Sequence, residues 1–204
     1  VPKADITDYF NAGHSKAELE QLINVIQDTE ATKPVDLLDK LQMLNAVSNY
    51  ETNDKGFGAL YAEIFKDKEV LVLSGGNDIG QYPKRDEFEF MLLEYALQHN
   101  KKILAICRGM QIVATYFGLK LHKSTHAVKE YHALSGTLTH SVHSYHNFCI
   151  KEVPSGFENL AYVESEIEAM KSRQILALMW HPERERQDST IQADRALISQ
   201  FLQT

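Results

Sequence analysis

The sequence predicts an α/β fold built on an open, mostly parallel sheet with flanking helices. Three short apolar runs, each long enough for one strand, lie at residues 69–74, 103–107 and 175–180. Each run ends at a polar cluster. Because open α/β sheets bind ligands at the carboxyl ends of their parallel strands, we expect the three runs to be adjacent and parallel, with all three clusters at one edge. The chain of 204 residues suffices for a single domain covering residues 1–204.

The first third of the chain, residues 1–67, is predicted to be a mostly helical extension. Ser15 with Glu18 three residues later forms a capping-box pattern at the start of one helix. A third helix is expected over residues 58–66, after a turn signal. Apolar residues recur at helical spacing in the first two helices, at Leu19, Leu22, Ile23 and Ile26, and at Leu37, Leu38, Leu41, Leu44 and Val47.

Two more helices are predicted, one after the first strand and one at the end of the chain. The first begins at Arg85 and ends at His99, and the closing helix covers residues 186–204. Both carry apolar residues at helical spacing, which favours packing against a sheet. These apolar positions are Phe88, Leu92, Tyr95 and Ala96 in the first helix, and Ile191, Ala196, Ile198 and Leu202 in the second.

Cys107 stands where the second apolar run stops and a helical pattern begins. A strand, a sharp turn and a helix form the local context of a nucleophile elbow. The free N–H groups and positive dipole end of a helix N-terminus favour a thiolate. The alternative is a buried cysteine that merely ends a core strand, since free cysteines are among the most buried residues.

His181 stands at the end of the third apolar run, followed by Pro182 and Glu183. An imidazole there can serve as the base for Cys107, and the carboxylate two residues later can hold it in one tautomer. This is the arrangement of nucleophile, base and orienting group, whose members need to meet only in the folded chain. Taken alone, His181 is more simply a surface histidine.

Four segments together resemble the class I glutamine amidotransferase superfamily, and within it most closely the γ-glutamyl hydrolases. The resemblance covers roughly residues 68 to 204, and it implies a flavodoxin-like α/β fold. Cys-x-Gly-x-Gln combined with His-Pro-Glu is a specific pairing. The four segments are Ser74-Gly75-Gly76-Asn77-Asp78, Cys107-Arg108-Gly109-Met110-Gln111, Ser144-Tyr145-His146-Asn147-Phe148 and Trp180-His181-Pro182-Glu183-Arg184.

The resemblance implies a role for each matching residue. Cys107 would be the nucleophile, His181 the general base and acid, and Glu183 the orienting carboxylate. The backbone N–H groups of Gly76 and Arg108 would form the oxyanion hole. Gly75 has no side chain and would let the backbone approach the ligand closely. The residues expected to bind the glutamyl end of the substrate are Gly75, Gln111, Ser144, Tyr145 and His146.

The implied chemistry is cleavage of a γ-glutamyl amide through a γ-glutamyl thioester, releasing glutamate and an amine, with no metal or organic cofactor. The first alternative is the glutaminase domain of an amidotransferase, which supplies ammonia to a synthase partner. The second is a non-catalytic relative that binds partners. We expect a small γ-glutamyl compound or glutamine as substrate, and either a homo-oligomer or a synthase partner is compatible with the sequence.

Two departures from the family pattern bear on the substrate. Ala105 occupies a position where many relatives have glycine, and its methyl group crowds the elbow. His143 stands where a polar residue, often asparagine, precedes the Ser-Tyr-His segment. We expect His143 to line the side of the site that meets the leaving amine.

Composition excludes several classes of partner. With 44% hydrophobic and 24% charged residues, the chain has an ordinary globular composition. A net charge of −7 argues against a nucleic-acid or membrane surface. The two cysteines, Cys107 and Cys149, could pair, but so few in a chain of this size are typical of a reduced, cytoplasmic protein.

Six of the nine histidines fall between residues 122 and 146. Imidazole is a common metal ligand, but the spacings lack a compact ligand motif and no cysteine pair accompanies them. We therefore expect pocket lining and solvated strand ends rather than a metal site. The six are His122, His126, His132, His140, His143 and His146.

Overall fold

The computed structural model describes residues 68–125 and 131–204. The helices predicted over residues 1–67, and His126, lie outside these ranges. Among the described residues, no helix combines the length and the apolar character needed to cross a membrane.

Three helices and ten strands make up the described chain, together with one 3₁₀ turn at Pro182–Arg184. The helices are α1 (Pro83–Gln98), α2 (Arg108–Tyr116) and α3 (Asp188–Gln203). The strands are β1 (Val70–Leu73), β2 (Lys102–Ile106), β3 (His122–Lys123), β4 (Tyr131–Ala133), β5 (Ser135–Gly136), β6 (Ser141–His143), β7 (Phe148–Cys149), β8 (Glu158–Val163), β9 (Glu166–Lys171) and β10 (Ile175–Leu178).

The central sheet has the strand order β1-β2-β10-β9-β8-β5. The pairs β1–β2 and β2–β10 are parallel, which confirms that the three apolar runs are parallel neighbours. Beyond β10 the sheet continues with the antiparallel pairs β10–β9, β9–β8 and β8–β5. Short turns reverse the chain between β8 and β9 and between β9 and β10. The open α/β sheet is thus confirmed, and its described part is mixed.

Residues of the central strands alternate between two hydrophobic cores, one on each face of the sheet. Ile103 and Ala105 of β2 face the core shared with α1 and α2. Leu104 and Ile106 face the opposite core, which α3 closes. Because β2 is buried on both faces, its sequence reads as a continuous apolar run rather than as an alternating pattern.

The closing helix departs from its predicted apolar face. Ile198 is buried as expected, but Ala196 is exposed. Asp194 takes a core position instead and is fully buried. Its carboxylate accepts hydrogen bonds from Nε1 of Trp180, at 3.1 and 3.2 Å, and lies 3.1 Å from Nε2 of His140. A buried carboxylate is tolerated here because polar partners surround it.

Candidate functional site

Cys107 lies at the turn between β2 and α2, as the elbow pattern predicts. Its backbone has φ 50° and ψ −104°, a positive-φ conformation that residues other than glycine rarely adopt. Its N–H donates to the carbonyl of Leu178 at 2.7 Å, and its carbonyl accepts from the N–H of Gln111 at 3.2 Å. Strained backbone of this kind is concentrated at functional sites, where surrounding structure holds it in place.

The thiol of Cys107 is 5% exposed, and burial raises its pKa from 9.0 to about 12. The backbone N–H of Arg108 lowers the pKa, as expected for a helix start, but this effect is smaller than that of burial. The negative charge of Glu183 raises the pKa further. The helix start thus acts on Cys107 in the expected direction, but burial outweighs it and keeps the pKa of the thiol above its ordinary value.

His181 and Glu183 are both buried and directly bonded to each other. Nδ1 of His181 lies 2.6 Å from Oε1 of Glu183. This short contact gives Nδ1 a proton to donate and leaves Nε2 as the nitrogen that can exchange one. Pro182 between them opens the 3₁₀ turn that brings the carboxylate back toward the ring.

The sheet brings Cys107 and His181 to the same edge. Ile106 of β2 is paired with Leu178 of β10, so Cys107 and His181 follow neighbouring strand ends. The third strand end contributes Gly75, whose backbone packs directly against the imidazole. A Cβ placed on Gly75 would lie 2.4 Å from Cε1 of His181, so only glycine permits this approach. The three predicted polar clusters therefore meet.

A cavity of about 200 Å³ lies beside Cys107. It is smaller than the roughly 300–1,000 Å³ typical of sites for drug-sized ligands. His181 and Glu183 are not among its lining residues. Those are Gly76, Asn77, Asp78, Gln81, Cys107, Arg108, Gln111, Tyr145, His146 and Asn147.

The residues predicted to bind the glutamyl end separate into two groups. Gln111, Tyr145 and His146 line the cavity, and Nε2 of Gln111 donates to the carbonyl of Phe148 at 3.0 Å. Ser144 and Gly75 are not among the lining residues. The hydroxyl of Ser144, which is buried, instead points at Glu168, to which it donates at 3.4 Å.

Glu168 is a fully buried carboxylate on β9 that the sequence patterns did not single out. Nε2 of His146 lies 3.4 Å from one of its oxygens, and Nε2 of His132 lies 3.6 Å from the other. Burial acts to raise the pKa of Glu168, but the two histidines outweigh it and hold the pKa below its usual range. The pattern of β9 could not identify Glu168, because all residues from Glu166 to Met170 are buried and no alternation of buried and exposed residues marks one face.

His143 is not among the lining residues of this cavity. Its ring stacks on Tyr131 with the centroids 4.6 Å apart, and its Nδ1 lies 2.8 Å from the hydroxyl of Tyr145. Through this contact with Tyr145, His143 is connected to a residue that lines the cavity. In residues 68–125 and 131–204, no group of three or more potential ligand side chains is arranged to hold a metal ion. Both cysteines are free, so Cys107 and Cys149 do not pair.

The chain is similar in sequence to several known proteins. Gamma-glutamyl-CDP-amidate hydrolase of Campylobacter jejuni is 31% identical over 133 residues, covering 61% of this chain and 66% of that protein. The chain thus spans just under two thirds of that relative. A subunit of the glutamine-hydrolysing GMP synthase of Methanococcus aeolicus is 33% identical over 137 residues, covering 60% and 69% of the two chains.

The fold is also found among solved structures. A candidate GMP synthase subunit from Thermoplasma acidophilum superposes with a TM-score of 0.60 at 23% identity, covering 71% of this chain and 76% of that one. At that identity the likeness concerns the fold alone. Residues 26–201 match the family described as glutamine amidotransferase class I. With most of its length inside that match, the chain belongs to the class I glutamine amidotransferase family.

Proposed function

We propose that this protein hydrolyses a γ-glutamyl amide, with Cys107 as nucleophile, His181 as general base and acid, and Glu183 as the orienting carboxylate. The observation that carries the proposal is the 2.6 Å contact between His181 and Glu183, at the strand end next to the strained turn of Cys107. This arrangement supplies a nucleophile, a base and a group that orients the base.

The reaction proceeds in two displacements. Nε2 of His181 takes the thiol proton of Cys107 while sulfur attacks the γ-carbonyl carbon. The C–N bond then breaks, the amine leaves with the proton from His181, and a γ-glutamyl thioester remains. In the second displacement His181 takes a proton from water, the hydroxide adds to the thioester, and the returning proton restores the Cys107 thiol as glutamate departs.

The high pKa of Cys107 determines how the first displacement begins. With a pKa of about 12, the thiol carries its proton at neutral pH. His181 must therefore remove the proton as the substrate is attacked, rather than rest beside a preformed thiolate. Substrate binding displaces water from the cavity and aligns the groups for this transfer.

The oxyanion formed on the γ-carbonyl oxygen requires hydrogen-bond donors. We assign the backbone N–H groups of Gly76 and Arg108, whose residues line the cavity together with Cys107. Each such donor is worth about 3 kcal/mol of transition-state stabilisation.

Recognition of the glutamyl end falls to the remaining lining residues. The carboxylate of Asp78 lies at the cavity, where its oxygens accept hydrogen bonds from the neutral side-chain amide of Asn147 at 3.1 and 3.4 Å. A negative group beside neutral donors favours the α-ammonium of the substrate. Gln111, Tyr145 and His146 complete this side of the site.

A second candidate function is that of a glutaminase that feeds ammonia to a synthase partner. The similarity to GMP synthase subunits of two archaea favours it. The similarity to the Campylobacter hydrolase favours the first candidate, in which the chain acts alone on an amide larger than glutamine.

A panel of γ-glutamyl amides, assayed for glutamate release by the purified chain, tests the proposal. It contains glutamine, amides with larger amines, and matched amides that lack the α-amino group. We expect the larger amides to be cleaved faster than glutamine without a partner, and removal of the α-amino group to lower kcat/KM by ~10-fold or more. Cys107→Ala should abolish release, whereas the matched variant Cys149→Ala should retain it.

Each contrary outcome identifies a different error. Cleavage of glutamine alone, and only after a synthase is added, replaces hydrolysis with the glutaminase function. Turnover that survives Cys107→Ala rules out the nucleophile. No release from any amide, with or without a synthase, refutes both candidates.

A further inference from the structure

A buried network of two arginines and two carboxylates lies behind the cavity. Arg85, Asp86 and Glu89 project from α1, and Arg108 begins α2. Their exposed fractions are 4%, 8%, 5% and 2%, so all four charges are removed from water. Burying charged groups is costly unless each is paired with good geometry. None of the four side chains belongs to the proposed triad.

The pairs within the network are closely matched. Nε of Arg85 donates to Oε1 of Glu89 at 3.0 Å. One guanidinium nitrogen of Arg108 forms an ion pair with Glu89, and another donates a hydrogen bond to Asp86. Asp86 also accepts the N–H of Gly80 at 2.7 Å. Glu89 therefore links the two arginines, and Asp86 ties the network to the loop after β1.

Arg85 also reaches the loop that carries a proposed oxyanion donor. Its Nη2 donates to the carbonyl of Gly75 at 3.1 Å. That carbonyl and the N–H of Gly76 belong to one planar peptide unit and point in opposite directions. Holding the carbonyl of Gly75 therefore sets the direction in which the N–H of Gly76 points.

Gly76 is required for this arrangement. A Cβ at Gly76 would lie 2.2 Å from Nη1 and 2.8 Å from Cζ of Arg85. The guanidinium thus fills the space that a side chain would occupy, and it packs against the peptide unit whose carbonyl it holds.

The second proposed donor is connected to the same carboxylates. It is the backbone N–H of Arg108, whose side chain is held by Glu89 and Asp86. We propose that Arg85 and Glu89 are positioning residues that align the N–H groups of Gly76 and Arg108 as one oxyanion hole. The inference rests on the proposed function, because it concerns the transition state of that reaction.

The charge state of the network suits this role. Burial lowers the pKa of Arg85 to about 10, and burial with the charge of Arg85 lowers that of Arg108 to about 10. Both arginines therefore keep their protons at neutral pH. The two guanidinium groups and the two carboxylates carry no net charge together. The network can therefore orient the two backbone N–H groups without adding a formal charge beside the thiol of Cys107.

The test uses Arg85→Lys and Glu89→Gln, with Glu94→Gln as the matched control. Lysine keeps the positive charge but lacks the planar fork that serves Gly75 and Glu89 together. Glu94 lies on the same helix, exposed, in hydrogen-bond contact with Gln98 at 3.4 Å. We expect kcat to fall ~10- to 100-fold in the two network variants, less than the 10²–10³-fold loss of a whole donor. It should stay within about twofold in the control.

Substrate affinity separates positioning from general damage. Measured by calorimetry in a Cys107→Ala background, it should change less than about threefold when Arg85→Lys is added, because the ground state does not depend on the oxyanion hole. Weakening of binding equal to the loss of kcat would overturn the proposal. So would an unchanged kcat in folded Arg85→Lys protein.

One measurement does not depend on activity and so distinguishes this inference from the proposed function. In ¹⁵N-glycine-labelled protein, the amide resonance of Gly76 should shift in Arg85→Lys and stay in place in Glu94→Gln. If the wild-type protein cleaves no γ-glutamyl amide, the proposed function fails, and this resonance alone decides whether Arg85 holds the peptide. An unmoved resonance overturns the positioning role.

Discussion

The imidazole of His181 packs against the bare backbone of Gly75, so closely that a Cβ there would lie 2.4 Å from Cε1 and 3.3 Å from either ring nitrogen. The loop after β1 thus forms one wall of the space that holds the ring, while Glu183 holds Nδ1 from within its own 3₁₀ turn. The orientation of the proposed base therefore depends on a residue from a distant part of the chain.

Gly75→Ala should lower kcat by about 100-fold, because a displacement of the base by ~1 Å removes that order of activity. The matched control is Gly118→Ala. Gly118 has φ 85° and open space around its Cβ position, so that substitution costs stability without touching the site. Activity per folded molecule, corrected by circular dichroism, is the measurement. Equal activity in the two variants contradicts a role for this packing.

The two cysteines should react slowly with iodoacetamide at pH 7, and the rate at Cys107 should rise steadily up to about pH 10. Burial raises the pKa of both thiols to about 12, so the thiolate fraction grows throughout this interval. Cys107 should react first because it lines the cavity, whereas Cys149 is fully buried. Peptide mass spectrometry gives both rates. A plateau at Cys107 below pH 7 would show a preformed thiolate and refute this account.

The raised pKa also links Cys107 to folding. Its ordinary pKa is 9.0, so its contribution to stability is fully present below pH 9 and is lost as the pH rises toward 12, where the unfolded chain ionises first. Urea midpoints of the wild-type protein should therefore fall over this interval more steeply than those of Cys107→Ala. Parallel curves would show that the thiol is no harder to ionise in the folded protein.

Glu183→Gln should impair turnover less than His181→Ala. The carboxylate positions and stabilises the imidazole, whereas the imidazole itself moves the proton. We expect a loss of kcat of ~10²- to 10³-fold for the first variant and at least about tenfold more for the second, measured on the same γ-glutamyl amide. An equal loss would give the carboxylate a more direct part in the chemistry.

Asp194→Ala should destabilise the fold by about 2–4 kcal/mol, because it leaves the Trp180 indole N–H and His140 without their buried acceptor. Burial raises the pKa of Asp194 despite its partners. Asp194→Asn should lose less stability than Asp194→Ala, because asparagine keeps an oxygen that can accept a hydrogen bond. Urea midpoints measure both, and Asp188→Ala on the exposed start of the same helix should change the stability by at most about 1 kcal/mol. Equal losses of stability in Asp194→Ala and Asp188→Ala would refute the role of Asp194 as a buried hydrogen-bond acceptor.

Local patterns in the sequence predicted the part of the molecule that follows from short-range rules. Apolar runs of strand length marked β1, β2 and β10, and each polar cluster directly followed its strand. Because parallel strands place their carboxyl ends at one edge, the meeting of Gly75, Cys107 and His181 could be anticipated without coordinates.

The tertiary structure alone decided which polar residues are buried and what they bind. Arg85, Glu89 and Asp194 lie on helices for which only apolar side chains were expected to pack against the sheet, yet all three are buried and have partners from distant segments. Burial also raises the pKa of Cys107 by more than the helix start lowers it. The desolvation of a group depends on all the residues that pack around it. Because these residues come from distant parts of the chain, no periodic pattern in the sequence predicts it.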